Sequence, residues 1–548
     1  MDLKNLIKNN IVEFICMAVI GIVLILSLIP VVRLGFHNYA IGDDYWYSAY
    51  TYQGFVHGGI IGAIKGSIRM LMEIYETWQG TWFTIVLFTL SPNNFIKNGY
   101  VLTIFISLGF LFLAYKIVLE YFLVKELDLP KNYYRTVLFL LFFLTIQYMP
   151  RTTSGIYWFN GVMHYTIPLL LSMIAIVRMK KFANKGKLKD LVAATICMAL
   201  LGGSSYLAAI WGALIPFWFL FENIIINPSL KAALDKKTAS AANPDGSKPS
   251  KARGKICLKI NIQKEDWLFL VPWGLELAGL FISYKSPGND IRSGEDMSFQ
   301  FGFMKDCIIS AIGRGNRDSA LMLLGNPILI LSLVFLAFFT FRVLNNKMSS
   351  ENFKFTFPCP LLFWLVVNGT HWATFLPEIY ARSDVSGGVA NTHLQTTLFV
   401  SYATIVYFTG WIIRVVKEYR AKNNKPQLGS IFETAVCKNM VNVIALACLA
   451  VITIFWSFAP VKTTTSYCKE LLGTEKLEIY EATRIEQDAI LLEAAGQTGA
   501  SNLVVEVPEY TEDMYPLCNM PLEESADGGH NIDRAKYYGL KGVTAYFR

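Results

Sequence analysis

The sequence predicts an all-α polytopic membrane protein of about eleven transmembrane helices, with a small extracytoplasmic α/β appendage at its C-terminal end. Three observations carry this expectation. Of 548 residues, 53 % are hydrophobic and 16 % charged, against roughly 25 % charged in soluble domains. Apolar windows long enough to cross a hydrocarbon core of about 30 Å recur along most of the chain. The formal charge of +8 is unevenly divided: residues 460–548 carry 8 Lys+Arg against 15 Asp+Glu, and the first 459 residues carry 41 against 26. These features exclude a soluble enzyme, a disordered scaffold and a secreted disulfide miniprotein. They divide the chain into a membrane body, 1–459, and an acidic tail, 460–548.

The spans are read from apolar windows at 11–32, 98–122, 135–149, 163–178, 188–204, 206–224, 265–284, 321–343, 357–373, 394–415 and 439–459. The first follows Lys4 and Lys8, exceeds a signal peptide's apolar core and lacks a small-residue cleavage site, so it is expected to stay as an anchor. Short loops containing Lys125 and Lys131, Arg178 to Lys189, Lys347, and Lys417 to Lys425 alternate with loops poorer in cations. The positive-inside rule then places the N-terminus in the cytoplasm and, after eleven crossings, the tail outside the cell membrane. Basic residues confined to such loops point to the lipid bilayer as partner and not to nucleic acid. The stretch 228–256 is rich in Lys, Ala, Ser, Pro and Asp and reads as a disordered cytoplasmic loop. Span count is the open point, because 188–224 reads equally as a reentrant pair, and 81–91 and 301–312 are apolar enough to dip into lipid.

The tail shows helical spacing over 466–496, a short strand at 502–507, a helix to residue 538 capped by Asn531, and a second strand at 543–547. The nine cysteines form no CxxC pair, which disfavours zinc and a disulfide framework; a bridge between Cys468 and Cys518 stays open.

In this topology the unusual chemistry lies in the outer segments 33–97, 150–162, 285–320 and 374–393. Asp43 and Asp44 are adjacent carboxylates followed by Tyr45, Trp46 and Tyr47. Such a pair suits a catalytic acid or a hard cation, Mg²⁺ or Mn²⁺, and equally a solvated turn beside an aromatic belt. Trp78, Gln79 and Gly80 follow an amphipathic stretch, 60–76, with Lys65 and Arg69 on its polar side. Their aromatic ring and amide suit a sugar. Arg151, Tyr157, Trp158 and Asn160 gather in the next outer loop, where an arginine also simply snorkels toward water. Asn289 and Arg292 sit in a Pro-Gly turn whose backbone could cradle an anion, and Arg382 adds a guanidinium before the next outer carboxylates. Guanidinium groups suit phosphate, a carboxylate suits proton abstraction from a hydroxyl, and aromatic faces suit sugar rings.

The segments Gly42-Asp43-Asp44-Tyr45, Trp78-Gln79-Gly80, Tyr157-Trp158-Phe159-Asn160-Gly161, Pro287-Gly288-Asn289 with Arg292, and 531–539 together resemble the GT-C class of glycosyltransferases. More narrowly, they resemble an uncharacterised bacterial multi-pass family grouped near that class. The resemblance implies a GT-C-like fold and a hexosyl transferase that takes sugar from a polyprenyl-phosphate carrier and passes it to a cell-envelope glycan or lipid acceptor. It maps the acidic residue of the first outer loop onto Asp43 or Asp44. It also marks one departure, since the narrower family carries Arg after the Trp-x-Gly glycine and this chain has Thr81. Physical chemistry adds the roles: Asp43 as base, Asp44 orienting it or holding a cation, and Arg292, Arg382 and Arg151 on phosphate. The competing expectation is a transporter or flippase of lipid-linked glycan precursors, which needs polar residues inside spans; Glu276 is the clearest one.

Overall fold

The computed structural model describes residues 3–227, 260–263, 265–293, 301–349, 353, 355–381, 386–423, 435–458 and 461–547. The stretch 228–256 and Arg382 therefore lie outside the described residues. The chain is mostly helical, and among the described residues seven helices are long and apolar enough to cross a membrane. They are Ile11–Gly35, Gly99–Glu126, Phe159–Lys185, Tyr206–Ile226, Asp266–Tyr284, Pro327–Met348 and Gly387–Lys422. Each coincides with an apolar window of the sequence. The other four windows form shorter helices: Lys131–Gln147, Leu188–Gly202, Pro360–Ala373 and the apolar Asn439–Phe455.

Helix α1 (Leu3–Gly35) leads into α2 (Gly42–Thr77), where the sequence predicts an outer segment with an amphipathic stretch at 60–76. Helix α2 is a tight helical hairpin. Gly59 turns the chain at φ +58°, a conformation that side-chain-bearing residues resist. The two arms then meet backbone to backbone: a Cβ on Gly54 would lie 2.2 Å from the Gly62 oxygen, and one on Gly66 would lie 2.0 Å from the Tyr50 oxygen. The returning arm exposes Ile60, Ile61, Ile64, Ile68 and Met72, while Arg69 lies 4.0 Å over the Tyr50 ring. The amphipathic face expected at 60–76 is present.

Side-chain bonds sort the helix ends into two groups. One group joins Glu13 to Arg342, Asp128 to Lys347, Asp190 to Arg178, Glu222 to Lys180 and Asn184 to Glu126. The other joins Tyr157 to Val31, Thr464 to Ile146, Tyr148 to Trp456, Asn391 to Arg151, and Asn289 to Tyr206. We call these the Glu13 end and the Asp43 end of the bundle.

The acidic tail folds as two helices, Thr464–Leu472 and Glu475–Ala495, then strand β1 (Val504–Glu509), helix Gly529–Tyr538 and strand β2 (Gly542–Phe547). β1 and β2 pair in parallel, with Val505 opposite Val543. The predicted single helix over 466–496 breaks at Gly473 and extended Thr474. Asn531 does not cap its helix. It is buried inside the first turn, where its amide donates to the carbonyls of Glu523 and Val543 and its oxygen accepts from the Glu523 N–H. Cys468 and Cys518 are both free thiols. The tail is built into the body, because Cys468, Leu471, Leu477 and Tyr480 enter the core formed by α1 and its neighbours, while Val507, Ala535 and Tyr537 share a second core with Tyr45, Met70 and Phe88.

Candidate functional site

The site begins where α2 begins. Ile41 is extended and has no side-chain oxygen to cap the helix, so Asp44 reaches back and accepts the Ile41 N–H at 3.1 Å. The same oxygen, Oδ2, accepts from the Tyr100 hydroxyl at 2.6 Å, and Oδ1 has no hydrogen-bond partner. Asp44 is 1 % exposed. Burial pushes its carboxyl up to about 7, outweighing the bonds from Tyr100 and Ile41 that favour the charged form; the Asp43 charge adds to the rise. Asp43 is only half-buried. Burial raises its pKa too, and the charges of His530 and Arg292 pull it back down.

The tail forms a roof over this turn. A Cβ on Gly42 would stand 2.7 Å from the Met520 sulfur and 2.8 Å from His530 Nδ1, an atom that is buried without a partner. Asp533, one turn further along the same helix, is pushed up to about 7 by burial and then by Asp43, with Lys536 opposing. The roof is clamped to the hairpin at several points. Tyr537 stacks on Tyr52 at 4.1 Å, Arg534 lies 3.9 Å over Tyr45, and Gln53 donates to the Tyr537 carbonyl at 2.5 Å.

A second wall comes from the turn after the hairpin and the helix Pro287–Ser293, which replaces the predicted Pro-Gly turn. Arg292 Nη1 donates to Gln79 Oε1 at 3.0 Å, and its guanidinium lies 4.8 Å from the Trp78 ring centroid. Gln79 in turn donates to the Tyr47 hydroxyl at 3.3 Å. Asn289 is a joint: it accepts the Gly80 N–H at 3.1 Å and donates to Ser283 O and to the Tyr206 hydroxyl. The fit allows nothing larger than glycine at Gly80, where a Cβ would be 1.8 Å from Ser283 O. Trp78, Gln79, Asn289 and Arg292 thus meet from two separate stretches of sequence, and Gln79 ties them to Tyr47 in the first turns of α2, the helix that carries Asp43.

The other sequence candidates lie differently. Arg151 is exposed; Asn391 holds its backbone from both sides, at 2.9 and 2.8 Å, and its side chain rests on Gly387. Tyr157 is 0 % exposed and donates to the Val31 carbonyl at 2.8 Å, so it serves packing. Trp158 is half-buried with its ring N–H unpartnered. Asn160 is 2 % exposed, and both polar atoms of its amide lack partners. Its backbone favours the charged form of Asp44, which places it behind the acid pair. Among the described residues no group of three or more His, Cys, Asp or Glu side chains could hold a metal ion. Asp43 and Asp44 supply two carboxylates, of which Asp44 is already bound to Tyr100. Sequence reasoning missed His530, Asp533 and Met520. The one signal in the sequence was a polar helix at 529–538 ending in paired tyrosines, with nothing to name its partner.

A scan against protein-family models finds no match for this chain, and no curated protein matches it.

Proposed function

We propose that this protein is a GT-C-like membrane glycosyltransferase that moves a sugar from a polyprenyl-phosphate carrier to a glycan or lipid acceptor at the outer face of the cell membrane. The observation that carries the reading is a guanidinium, Arg292, held by Gln79 and the Trp78 ring, with Gln79 bonded to Tyr47 four residues after the half-buried carboxylate Asp43. Asp43 takes the proton of the acceptor hydroxyl as that oxygen attacks the anomeric carbon. The bond from that carbon to the lipid phosphate breaks, and the phosphate leaves as an anion beside Arg292. One base and one cation suffice, because a phosphate leaving group needs no acid. The Trp78 and Trp46 rings, 5.8 Å apart, offer an apolar face to a sugar ring. The GT-C expectation of an acid in the first outer loop supports the assignment to Asp43, and the buried position of Asp44 supports a positioning role for it. A hard cation, Mg²⁺ or Mn²⁺, would be held by Asp43, because Asp44 is taken up by Ile41 and Tyr100.

Eleven crossings account for how the helix ends pair. The hairpin follows the first span and the tail follows the last, yet the two are bound together, so the number of crossings is odd. The seven long helices and Asn439–Phe455 make eight. The 17-residue Lys131–Gln147 runs from the Glu13 end, beside Asp128, to the Asp43 end, where Ile146 meets Thr464. Leu188–Gly202 runs from Asp190 to the Ser283 contact in the same sense. Pro360–Ala373 is the eleventh. The cations Lys180, Lys185, Lys347 and Lys417 flank the Glu13 end, which supports a cytoplasmic location for it and an extracytoplasmic one for the tail.

The test is sugar transfer by the full-length protein in proteoliposomes containing a polyprenyl-phosphate sugar and a lipid-linked acceptor. Asp43→Asn is expected to abolish transfer while leaving donor binding in place. Full activity of that variant removes the base assignment.

A further inference from the structure

Glu276 lies in the helix Leu270–Tyr284, which packs against Leu188–Gly202 and Tyr206–Phe221. Its side chain is 0 % exposed, and neither carboxyl oxygen has a hydrogen-bond partner. Glycine makes the room it occupies: a Cβ on Gly212 would stand 2.2 Å from Glu276 Oε1, and one on Gly202 would stand 2.3 Å from the Glu276 backbone oxygen. Among the described residues no cation of the packet bonds to it. Asp190 is held by Arg178, Glu222 by Lys180, and Asp266 by Asn223 at 2.7 Å. These all sit at the Glu13 end, roughly 15 Å along the helix axis for Asp266 at 1.5 Å per residue. At the other end, Tyr206 accepts from Asn289 and donates to Ser283 O, and Lys285 lies past the last turn. Cys197 is buried in the neighbouring helix and makes no bond to the carboxyl. An anion in this setting would have neither a counter-ion nor a donor, a state that a carboxyl escapes by taking up a proton.

The packet is also tied to the site. The Trp82 indole N–H donates to the carbonyl of Gly279, one turn after Glu276, at 3.2 Å. A Cβ on Gly203 would stand 2.1 Å from the same indole, and the Phe83 N–H donates to Gly203 O at 2.8 Å. Trp82 is two residues from Gly80, whose N–H is bound by Asn289.

We propose that Glu276 is a proton-binding site, neutral in this arrangement, whose deprotonation loosens the three-helix packet and, through Trp82, the Gly80–Asn289 joint. The inference stands on the packet alone and does not depend on the transferase reading.

Infrared spectra of the full-length protein and of Glu276→Gln in lipid nanodiscs test it. At neutral pH the wild type is expected to show a protonated-carboxyl band that the variant lacks and that sodium ions leave unchanged. Absence of that difference, or its loss on adding sodium, overturns the proton assignment. Hydrogen exchange of the segment 78–84, corrected for intrinsic rates, is expected to accelerate in the wild type at alkaline pH and to stay flat in Glu276→Gln. An equal response in both overturns the coupling. If Glu276→Gln fails to fold, Gly212→Ala takes its place: its methyl group displaces the carboxyl and must shift the band, and an unmoved band overturns the site.

Discussion

Lys536, in the last helix, lies 2.9 Å from Glu73, in the helical hairpin Gly42–Thr77, across 463 residues of sequence. The Glu73 carboxylate also accepts from Tyr50 at 2.6 Å, and Lys536 lies 4.2 Å over the Tyr50 ring. This pair is one of the pins that hold the tail over Asp43.

The pH window of that pin follows from its two shifts. Burial raises the Glu73 pKa, but the bonds from Tyr50 and Lys536 outweigh it and leave the group below its ordinary 4.5. Its contribution is present above pH 4.5 and fades as pH falls through the lowered folded value. Burial lowers the Lys536 pKa, but Glu73 and Tyr50 raise it above 10.5 overall; its contribution is complete below 10.5 and fades above that. The pair therefore stabilises the roof across the whole physiological range. Both side chains are roughly a third exposed, so a double-mutant cycle of Glu73→Gln and Lys536→Met is expected to give a coupling of about 1 kcal/mol. Thermal unfolding at neutral pH measures it.

Asp43 is expected to set the acid limb of the pH–rate profile. Because burial raises its pKa, transfer should fall with decreasing pH at a value above the ordinary 3.8. Arg292 opposes that rise, so Arg292→Gln should move the limb to still higher pH as well as weakening donor binding. Asp43→Asn should lower kcat by about 10²–10⁴-fold, the usual worth of a general base. A limb that stays in place in Arg292→Gln would show that the two charges do not act on one another.

Arg292→Lys is expected to fail as a conservative change. An ammonium keeps the charge but loses both the stacking on Trp78 and the planar fork that reaches Gln79. The KM for a polyprenyl-phosphate sugar should rise about tenfold, equivalent to about 1.4 kcal/mol, with a smaller effect on kcat. Initial-rate kinetics in proteoliposomes separate the two.

Asp44 should make the protein less stable as pH rises. Its folded pKa of about 7 lies above its ordinary 3.8, because burial disfavours the anion. Proton binding therefore stabilises the fold fully below about pH 3.8, and that stabilisation is lost as pH rises through 7. Asn cannot ionise, so Asp44→Asn should lack this slope and its melting temperature should gain on the wild type from pH 6 to 8, an interval of roughly 2 pH units around the shifted value.

How far the sequence foretold these sites depends on what each feature needs. A bilayer demands length and apolarity, both visible along the chain, so all seven long spans coincide with apolar windows. The tail strands were legible because Val504, Val505 and Val507, and then Val543, follow strand chemistry, and the helix between them ends at Gly539 in the left-handed conformation. Only the hairpin's returning arm was legible, as the amphipathic stretch 60–76; the spacing of Gly54, Gly58, Gly59, Gly62 and Gly66 does not announce a hairpin. Three of those glycines permit backbone contact between arms. Arg292 was expected beside the Trp78-Gln79 turn only as part of a common outer site, and it bonds Gln79 there. His530 and Asp533 were not expected, because a polar helix carries no mark of the turn it will cover.

Gly80 gives the sharpest test of the joint. A Cβ there would lie 1.8 Å from the Ser283 carbonyl oxygen and 2.7 Å from the Ser286 side chain, and neither neighbour can yield freely. Ser283 is fixed because its hydroxyl donates to Gly202 O at 3.0 Å and its carbonyl accepts from Asn289 and Tyr206. Gly80→Ala must therefore push the 78–82 turn away from Asn289 and Arg292. Overpacking of this kind costs about 1–3 kcal/mol. Transfer should fall further than that loss of stability explains, because Arg292 loses its partner on Gln79. Asn289→Ala leaves the Gly80 N–H unbound and should reproduce the loss of transfer at a smaller cost of about 1 kcal/mol in stability. Comparing melting temperature with kcat/KM for the two variants checks this: if both keep wild-type transfer, the joint does not place Arg292.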